Sequence, residues 1–314
     1  MKQSPFTIFD TQIDTRTIPD IPRTRSNISR QNGGYRNRRE LRPYRPQRTP
    51  RWLPAKRIVT EGVPKSILEG WHSPTTEVAE DLGHTRIPFT YNKPSSVSAV
   101  YGLKARRTQY TESAAEALFL RWFTVDTRFT DFQFQPITTT VKTNIRKDRS
   151  YTVDALVELQ CGMVASGEIK AAPEFFTVQD TGDRLNFFSN AFRAHGLELD
   201  IVRWSASAFT DDIAENIKFI YDNQNEGFDP EHVDLVHKAI LHDGGTTGLR
   251  TVARALPFSS LDSQDILCAM MVKRHIAIDL TRPFCPDLPV TIPPAPVRPG
   301  AMRAFQRQFL KNVA

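Results

Sequence analysis

Hydrophobic and polar residues alternate along the middle of the chain, which is the pattern of strands with one buried face. Five segments show this alternation: 130–136, 137–143, 151–159, 163–171 and 197–204. Pro136 separates the first two, and Cys161-Gly162 forms a turn between the third and the fourth. The pattern therefore predicts a β-rich core that contains a hairpin.

Helical spacing precedes and follows this core. One helix is predicted to begin near Thr111, and another covers 182–194 with Gly196 as its C-terminal cap. From about Asp211 the chain becomes helical, with four predicted helices and then a short strand over 275–280. The four helices cover 211–223, 229–244, 246–256 and 260–274. Three helices followed by a strand resemble a winged-helix module.

This organisation predicts an α/β fold, with a mixed sheet flanked by helices and then a helical, winged-helix-like domain. Four segments follow: an Arg/Pro-rich arm over 1–60, an α/β domain over 61–208, the helical domain over 209–284 and a Pro-rich tail over 285–314. We expect the arm to be disordered when free, and 61–110 to be irregular. The tail has the composition of a linker or docking peptide.

Charge is concentrated in the arm. The chain has 314 residues and a net charge of +6. Residues 16–57 carry a net charge of about +11, which leaves about −5 for the remainder. Such an arm either keeps the protein soluble or binds phosphates through the guanidinium forks of arginine. The candidate DNA-binding residues are Arg36, Arg38, Arg39, Arg42, Arg45, Arg48 and Arg51.

Location is predicted from segments that the sequence lacks. It contains no apolar run of about 18 residues, so no transmembrane helix is expected. The first residues lack the apolar region of a signal peptide. Cys161, Cys268 and Cys285 are too widely spaced for a disulfide framework or a zinc site. We therefore expect a cytoplasmic protein without a membrane partner.

Three charged residues interrupt the predicted hairpin. Glu168 and Lys170 are two apart and share one face of a strand, whereas Ile169 points to the other face. Asp154, on the preceding strand, reaches the side of Glu168 if the two strands pair. Two carboxylates and the backbone carbonyl of Ile169 suit Mg²⁺, or Mn²⁺, and a lysine can hold an attacking water. The alternative is the solvent-exposed face of an edge hairpin.

The order of these residues resembles a nuclease family. Ser113-Ala114-Ala115-Glu116 precedes Gln135-Pro136, Asp154 and Glu168-Ile169-Lys170. This order is similar to the PD-(D/E)XK nuclease core and, more narrowly, to TnsA, the endonuclease subunit of heteromeric cut-and-paste transposases. The resemblance covers roughly residues 85–280. Val153 stands where the superfamily often has proline, and the long arm is an addition.

The resemblance implies a Mg²⁺-dependent endonuclease that cuts the 5′ strands at transposon ends. Its catalytic residues would be Glu116, Asp154, Glu168 and Lys170, with Glu116 also a metal ligand. Its partners would be double-stranded DNA, a TnsB-like DDE transposase subunit and a TnsC-like AAA+ regulator. The protein would be bacterial and associated with the nucleoid when bound to DNA.

Several alternatives remain open on the sequence alone. Ser113-x-x-Glu116 is also a capping box, in which Glu116 serves only its own helix. Arg250 and Arg254 share a helix face that contacts either DNA or solvent. The protein itself could be a restriction or repair nuclease of the same superfamily, or a non-catalytic DNA-binding adaptor.

Overall fold

A computed structural model describes residues 56–59, 75–78, 83–85, 97–141, 149–177, 179–194, 199 and 201–311. The described strands are β1 (Lys56–Val59), β2 (Thr75–Val78), β3 (Ser98–Gly102), β4 (Arg107–Thr111), β5 (Phe129–Phe134), β6 (Ile137–Val141), β7 (Arg149–Thr152), β8 (Ala155–Leu159), β9 (Val164–Lys170), β10 (Ile201–Ser205), β11 (Thr246–Gly248), β12 (Ala277–Ile278) and β13 (Pro289–Thr291). The described helices are α1 (Ala114–Val125), α2 (Glu174–Thr177), α3 (Gln179–Ala194), α4 (Asp211–Asp222), α5 (Pro230–His242), α6 (Leu249–Ala255), α7 (Ser260–Val272) and α8 (Ala301–Lys311).

The strands form two four-stranded sheets with the orders β1-β2-β6-β7 and β10-β9-β8-β5. In the second sheet β10 runs parallel to β9 and the other pairs are antiparallel, so this sheet is mixed. A three-stranded sheet, β11-β13-β12, and the hairpin β3-β4 complete the described strands. The chain is therefore a mixed α/β protein, as the sequence predicts.

Two neighbouring chain segments bend at the same level and pass from one four-stranded sheet to the other. One leads from β5 into β6, and the other from β7 into β8. Pro136 lacks the N–H that a continuous ladder needs, and the residue before it, Gln135, has a φ of 51°. The amide of Gln135 donates to the carbonyl of Asp154 (3.0 Å). The amide of Val153 donates to the carbonyl of Ile137 (3.0 Å). The prediction of one strand over 151–159 is therefore wrong. The neighbouring segment bends at Pro136, and the hydrogen-bonded segment 151–159 bends with it and divides into β7 and β8.

Helices cover both faces of the mixed sheet. On one face, Phe119 and Phe123 of α1 lie 5.9 and 5.4 Å from Trp204 of β10, between ring centroids. On the other, α3 and α8 contribute to a second buried cluster, which includes Phe188 and Met302. Since both faces of β8 are covered, Ala155, Leu156 and Val157 are all apolar and buried instead of alternating.

The predicted helices after residue 208 are present, and their start signals explain where they begin. Thr210 accepts a hydrogen bond from the amide of Ile213 at the start of α4, and Pro230 is the first residue of α5. The helix predicted from residue 246 begins later, because Thr246–Gly248 pairs with β13. The helices α4 and α7 pack directly on α1.

Three further segments differ from the prediction. Residues 61–110, expected to be irregular, contain β2, β3 and most of β4, and β1 lies within the predicted arm. The strand predicted over 275–280 is only the two residues of β12. Residues 1–55 of the arm and the predicted cap Gly196 lie outside the described residues.

The Pro-rich tail is part of the fold and not a free linker. The amide of Val297 donates to the carbonyl of Gln160 in the β8–β9 turn (2.9 Å). The Arg298 side chain packs over Gly162 of the same turn. Beyond Gly300, α8 packs on β8 and β9. Prolines are compatible with this path because they still offer carbonyl acceptors: Pro286 accepts from the Arg250 amide (2.7 Å) and Pro289 from the Asp279 amide (3.1 Å).

Glu158 anchors the start of α8. This acidic residue is only 2% exposed. Its carboxylate accepts hydrogen bonds from the amides of Gly300 (3.0 Å) and Met302 (2.8 Å), and from the Thr130 hydroxyl (2.8 Å). The N-terminus of a helix carries unpaired amides and a partial positive charge, which stabilise a buried carboxylate.

We expect Glu158→Ala to lower the free energy of unfolding by about 2–3 kcal/mol, because two helix amides and a hydroxyl lose a charged acceptor. Urea denaturation measures this change. The matched control is Glu174→Ala in α2, where the glutamate is exposed and little change is expected. Equal stability of both variants would contradict the anchoring role.

A second prediction concerns the close approach of β9 to β10. A Cβ built at Gly167 would lie 2.2 Å from the Trp204 ring, whereas one at Gly227 meets nothing within 4 Å. We expect Gly167→Ala to cost about 1–3 kcal/mol of unfolding free energy through overpacking, with Gly227→Ala nearly neutral. Equilibrium denaturation of the pair tests this, and a neutral Gly167→Ala would show that Trp204 moves freely.

Candidate active site

The strand break places Asp154 opposite Glu168. Ala155 pairs with Gly167 in the β8–β9 hairpin, so the residue before Ala155 faces the residue after Gly167. The Asp154 carboxylate accepts a hydrogen bond from the Ile169 amide (2.8 Å). The predicted hairpin is confirmed, and the two acids lie on the same side of it.

Lys170 connects the two acids. Its Nζ lies 2.5 Å from Glu168 Oε1, 3.9 Å from Asp154 Oδ2 and 3.3 Å from the carbonyl oxygen of Ile169. The Lys170 side chain is 29% exposed, Asp154 16% and Glu168 3%. The cluster therefore opens to solvent at the lysine, and the Ile169 carbonyl faces it while the Ile169 side chain is buried.

Glu116 joins the cluster electrostatically while its oxygens bond to its own helix. Oε2 accepts a hydrogen bond from the Glu112 amide (2.8 Å), and Oε1 accepts one from the Ser113 hydroxyl (3.0 Å). The Ser113 hydroxyl in turn accepts a hydrogen bond from the Glu116 amide (3.1 Å). Burial raises the pKa of Glu116, and Lys170 is close enough to oppose that rise. Both interpretations of this residue thus have a structural basis.

The cluster contains more acidic than basic side chains. Burial, followed by repulsion from Glu168, raises the pKa of Asp154 to about 8. Lys170 and the Ile169 amide act in the opposite direction, and Glu116 adds further repulsion. Three carboxylates around one lysine form an arrangement that an added cation would stabilise.

Sequence reasoning missed Tyr151. Its hydroxyl donates to Glu168 Oε2 (2.7 Å) in a buried contact. Tyr151 lies on β7 and Glu168 on β9, which belong to different sheets. No local pattern signals this contact, because it depends on the strand break that brings β7 beside the hairpin.

The donor set fits a hard divalent cation. Asp154, Glu168 and the Ile169 carbonyl present oxygen atoms, which are the ligands that Mg²⁺ and Mn²⁺ accept. A bound cation would also favour the ionised forms of acids whose pKa values are raised by burial. In the described part of the chain, however, no group of three or more His, Cys, Asp or Glu side chains is arranged as a ready metal site. A cation would compete with Lys170 for Glu168 and with the helix cap for Glu116.

The other predicted site residues lie elsewhere. Arg250 and Arg254 are exposed on α6 and line a cleft of about 530 Å³ together with Phe258, Phe284 and other residues of the helical part. The seven candidate arginines of the arm lie outside the described residues. The structure therefore brings Glu116, Asp154, Glu168 and Lys170 together and leaves Arg250 and Arg254 on α6.

No family model and no curated protein matches this chain. Among the described residues, no helix is long and apolar enough to cross a membrane. Function is therefore inferred from the geometry of the site and from the order of its residues.

We expect Glu116→Gln and Ser113→Ala to separate the two roles of this helix start. Glutamine also caps at this position, so Glu116→Gln keeps the stability, whereas Ser113→Ala loses about 1 kcal/mol of unfolding free energy. Calorimetric Mn²⁺ titration of both variants should show weaker binding only in Glu116→Gln. Unchanged Mn²⁺ affinity in Glu116→Gln would assign Glu116 to the cap alone.

Proposed function

We propose that this protein is a metal-dependent DNA endonuclease of the TnsA-like, PD-(D/E)XK type. The observation that carries the proposal is the convergence of Asp154, Glu168 and Lys170 at the strand break, with Glu116 within electrostatic reach. A partly exposed lysine beside paired acids can hold an attacking water and offset charge at a phosphodiester.

Each residue has a chemical role in this proposal. Asp154, Glu168 and the Ile169 carbonyl would hold Mg²⁺, which when bound polarises the phosphate and lowers the pKa of its water. Lys170, at the open edge, orients the attacking water and offsets charge on the phosphoryl oxygens. Glu116 contributes negative charge at the rim of the cation site.

The architecture supports this type of nuclease core. A helix, α1, precedes β5, then comes the acid-bearing β8–β9 hairpin, and then a helix, α3, followed by the parallel strand β10. Helices cover both faces of that mixed sheet. This order is the one on which the resemblance rests.

The later elements support a winged-helix-like module. Its order is helix, strand, two helices and two strands (α5, β11, α6, α7, β12, β13), with β13 between β11 and β12. Most of α7 is buried, so it does not present a face to DNA. Arg250 and Arg254 on α6 are exposed instead, and we assign DNA contact to them and to the seven arm arginines.

The biological role follows from the family that the chain resembles. The protein would cut the 5′ strands at transposon ends while a TnsB-like DDE transposase subunit cuts and joins the other strands. The helical part would bind DNA or a TnsC-like AAA+ regulator. Its location would be the bacterial cytoplasm, on the nucleoid when bound to DNA.

One observation favours a second candidate, a non-catalytic DNA-binding adaptor. Both Glu168 oxygens already have protein partners, and so do those of Glu116. A cluster stabilised in this way could be structural. Calorimetry with Mn²⁺ separates the two: DNA binding without any cation binding would favour the adaptor.

For the nuclease, we expect Asp154→Asn to reduce 5′-strand cleavage at least about 100-fold, since the charge that would hold the cation is lost. The amide oxygen can still accept the Ile169 N–H, so the fold is spared. The assay combines the protein, a transposon-end duplex, Mg²⁺ and the partner transposase.

Asp234→Ala serves as the matched control for that assay, because Asp234 is an exposed acid on α5. Its cleavage rate should equal that of the wild type. Undiminished cleavage by Asp154→Asn would refute the assignment of this site. Cleavage that needs no transposase would instead favour a restriction or repair nuclease.

For the arm, we expect deletion of residues 1–52 to weaken DNA binding and to flatten its salt dependence by about 0.9 in log–log slope per lost phosphate contact. This deletion spares β1, which begins at Lys56. Replacing the seven arginines with glutamine keeps the length and should have the same effect. An unchanged slope would identify the arm as a solubilising tail.

A further inference from the structure

Tyr151 has the surroundings of a residue that holds another side chain in place. It is 5% exposed, and its hydroxyl donates to Glu168 Oε2 at 2.7 Å. Its ring stacks on Phe188 of α3, with centroids 4.7 Å apart and planes at 27°. Because the ring is packed in the core, the hydroxyl has little freedom to move.

The two oxygens of Glu168 are thereby assigned to different neighbours. Oε2 bonds to Tyr151, and Oε1 bonds to Lys170, whose Nζ is 3.9 Å from Asp154 Oδ2. Rotation of the carboxylate would break both bonds and leave a buried oxygen unpaired. Tyr151 therefore keeps Oε1 directed towards Lys170 and Asp154.

We propose that Tyr151 is a positioning residue that fixes Glu168 as an oxygen donor for a divalent cation at the Asp154–Glu168 pair. This inference rests on the proposed function. Hydrogen bonds from an outer residue orient a ligating carboxylate, and their loss typically weakens metal affinity 10–100-fold. Tyr151 itself makes no contact with substrate in this role.

The decisive variant is Tyr151→Phe, which keeps the stacked ring and removes only the hydroxyl. We expect its Mn²⁺ affinity, measured by calorimetry on the full chain, to fall about 10–100-fold. Tyr221→Phe is the matched control, since the Tyr221 phenol on α4 hydrogen-bonds to Gln224, outside the candidate site. Its Mn²⁺ affinity should match that of the wild type.

A loss of stability must be distinguished from a loss of positioning. Phe192→Leu alters a fully buried residue of the same hydrophobic cluster and should lower the unfolding free energy. We expect it to change Mn²⁺ affinity less than twofold. An equal loss of affinity in Phe192→Leu and Tyr151→Phe would overturn the inference, because general loosening would then explain both.

Cleavage gives a second measurement. With Tyr151→Phe, the Mg²⁺ concentration for half-maximal cleavage should rise about tenfold or more, with the maximal rate largely restored at high Mg²⁺. Wild-type Mn²⁺ affinity and Mg²⁺ requirement in Tyr151→Phe would overturn the role of Tyr151 and leave the nuclease intact. A wild-type protein that neither binds Mn²⁺ nor cleaves DNA would overturn both.

Discussion

The shared strand break between the two four-stranded sheets is the constraint on which the candidate site depends. Pro136 cannot continue the ladder, and Gln135 leaves the strand through a left-handed conformation while its amide stays bonded to Asp154. The break lets the Asp154 carboxylate turn back to the Ile169 amide. A regular strand would keep Asp154 within a continuous ladder and Tyr151 within the same sheet.

Electrostatics explains why this cluster is a candidate for chemistry and not only for stability. Buried acids that repel one another disfavour their charged forms, as the raised pKa values of Asp154 and Glu116 indicate. Hydrogen bonds from Tyr151, Ser113 and backbone amides stabilise the carboxylates in part. Acids with raised pKa values beside a half-buried lysine are more typical of functional sites than of solvated surfaces.

The C-terminal segment supports the same hairpin from outside the cluster. Val297 bonds to the hairpin turn, and Glu158 accepts the first amides of α8. Met302 of α8 and Tyr151 belong to one buried cluster. The chain end and the candidate site are thus linked through a continuous core, so the position of the acids depends on residues about 140 positions away.

Local patterns in the sequence were sufficient to predict several features of this protein. Alternation and the turn at Cys161-Gly162 predicted the β8–β9 hairpin, the side-chain period of two placed Glu168 with Lys170, and helical spacing predicted the helices after residue 208. These features depend on interactions between residues close in the chain. The bend that Pro136 imposes on the neighbouring strand, the burial of Glu158 and the bond from Tyr151 to Glu168 were decided only by the tertiary structure. Each depends on which segment packs alongside, and periodicity carries no information about that partner.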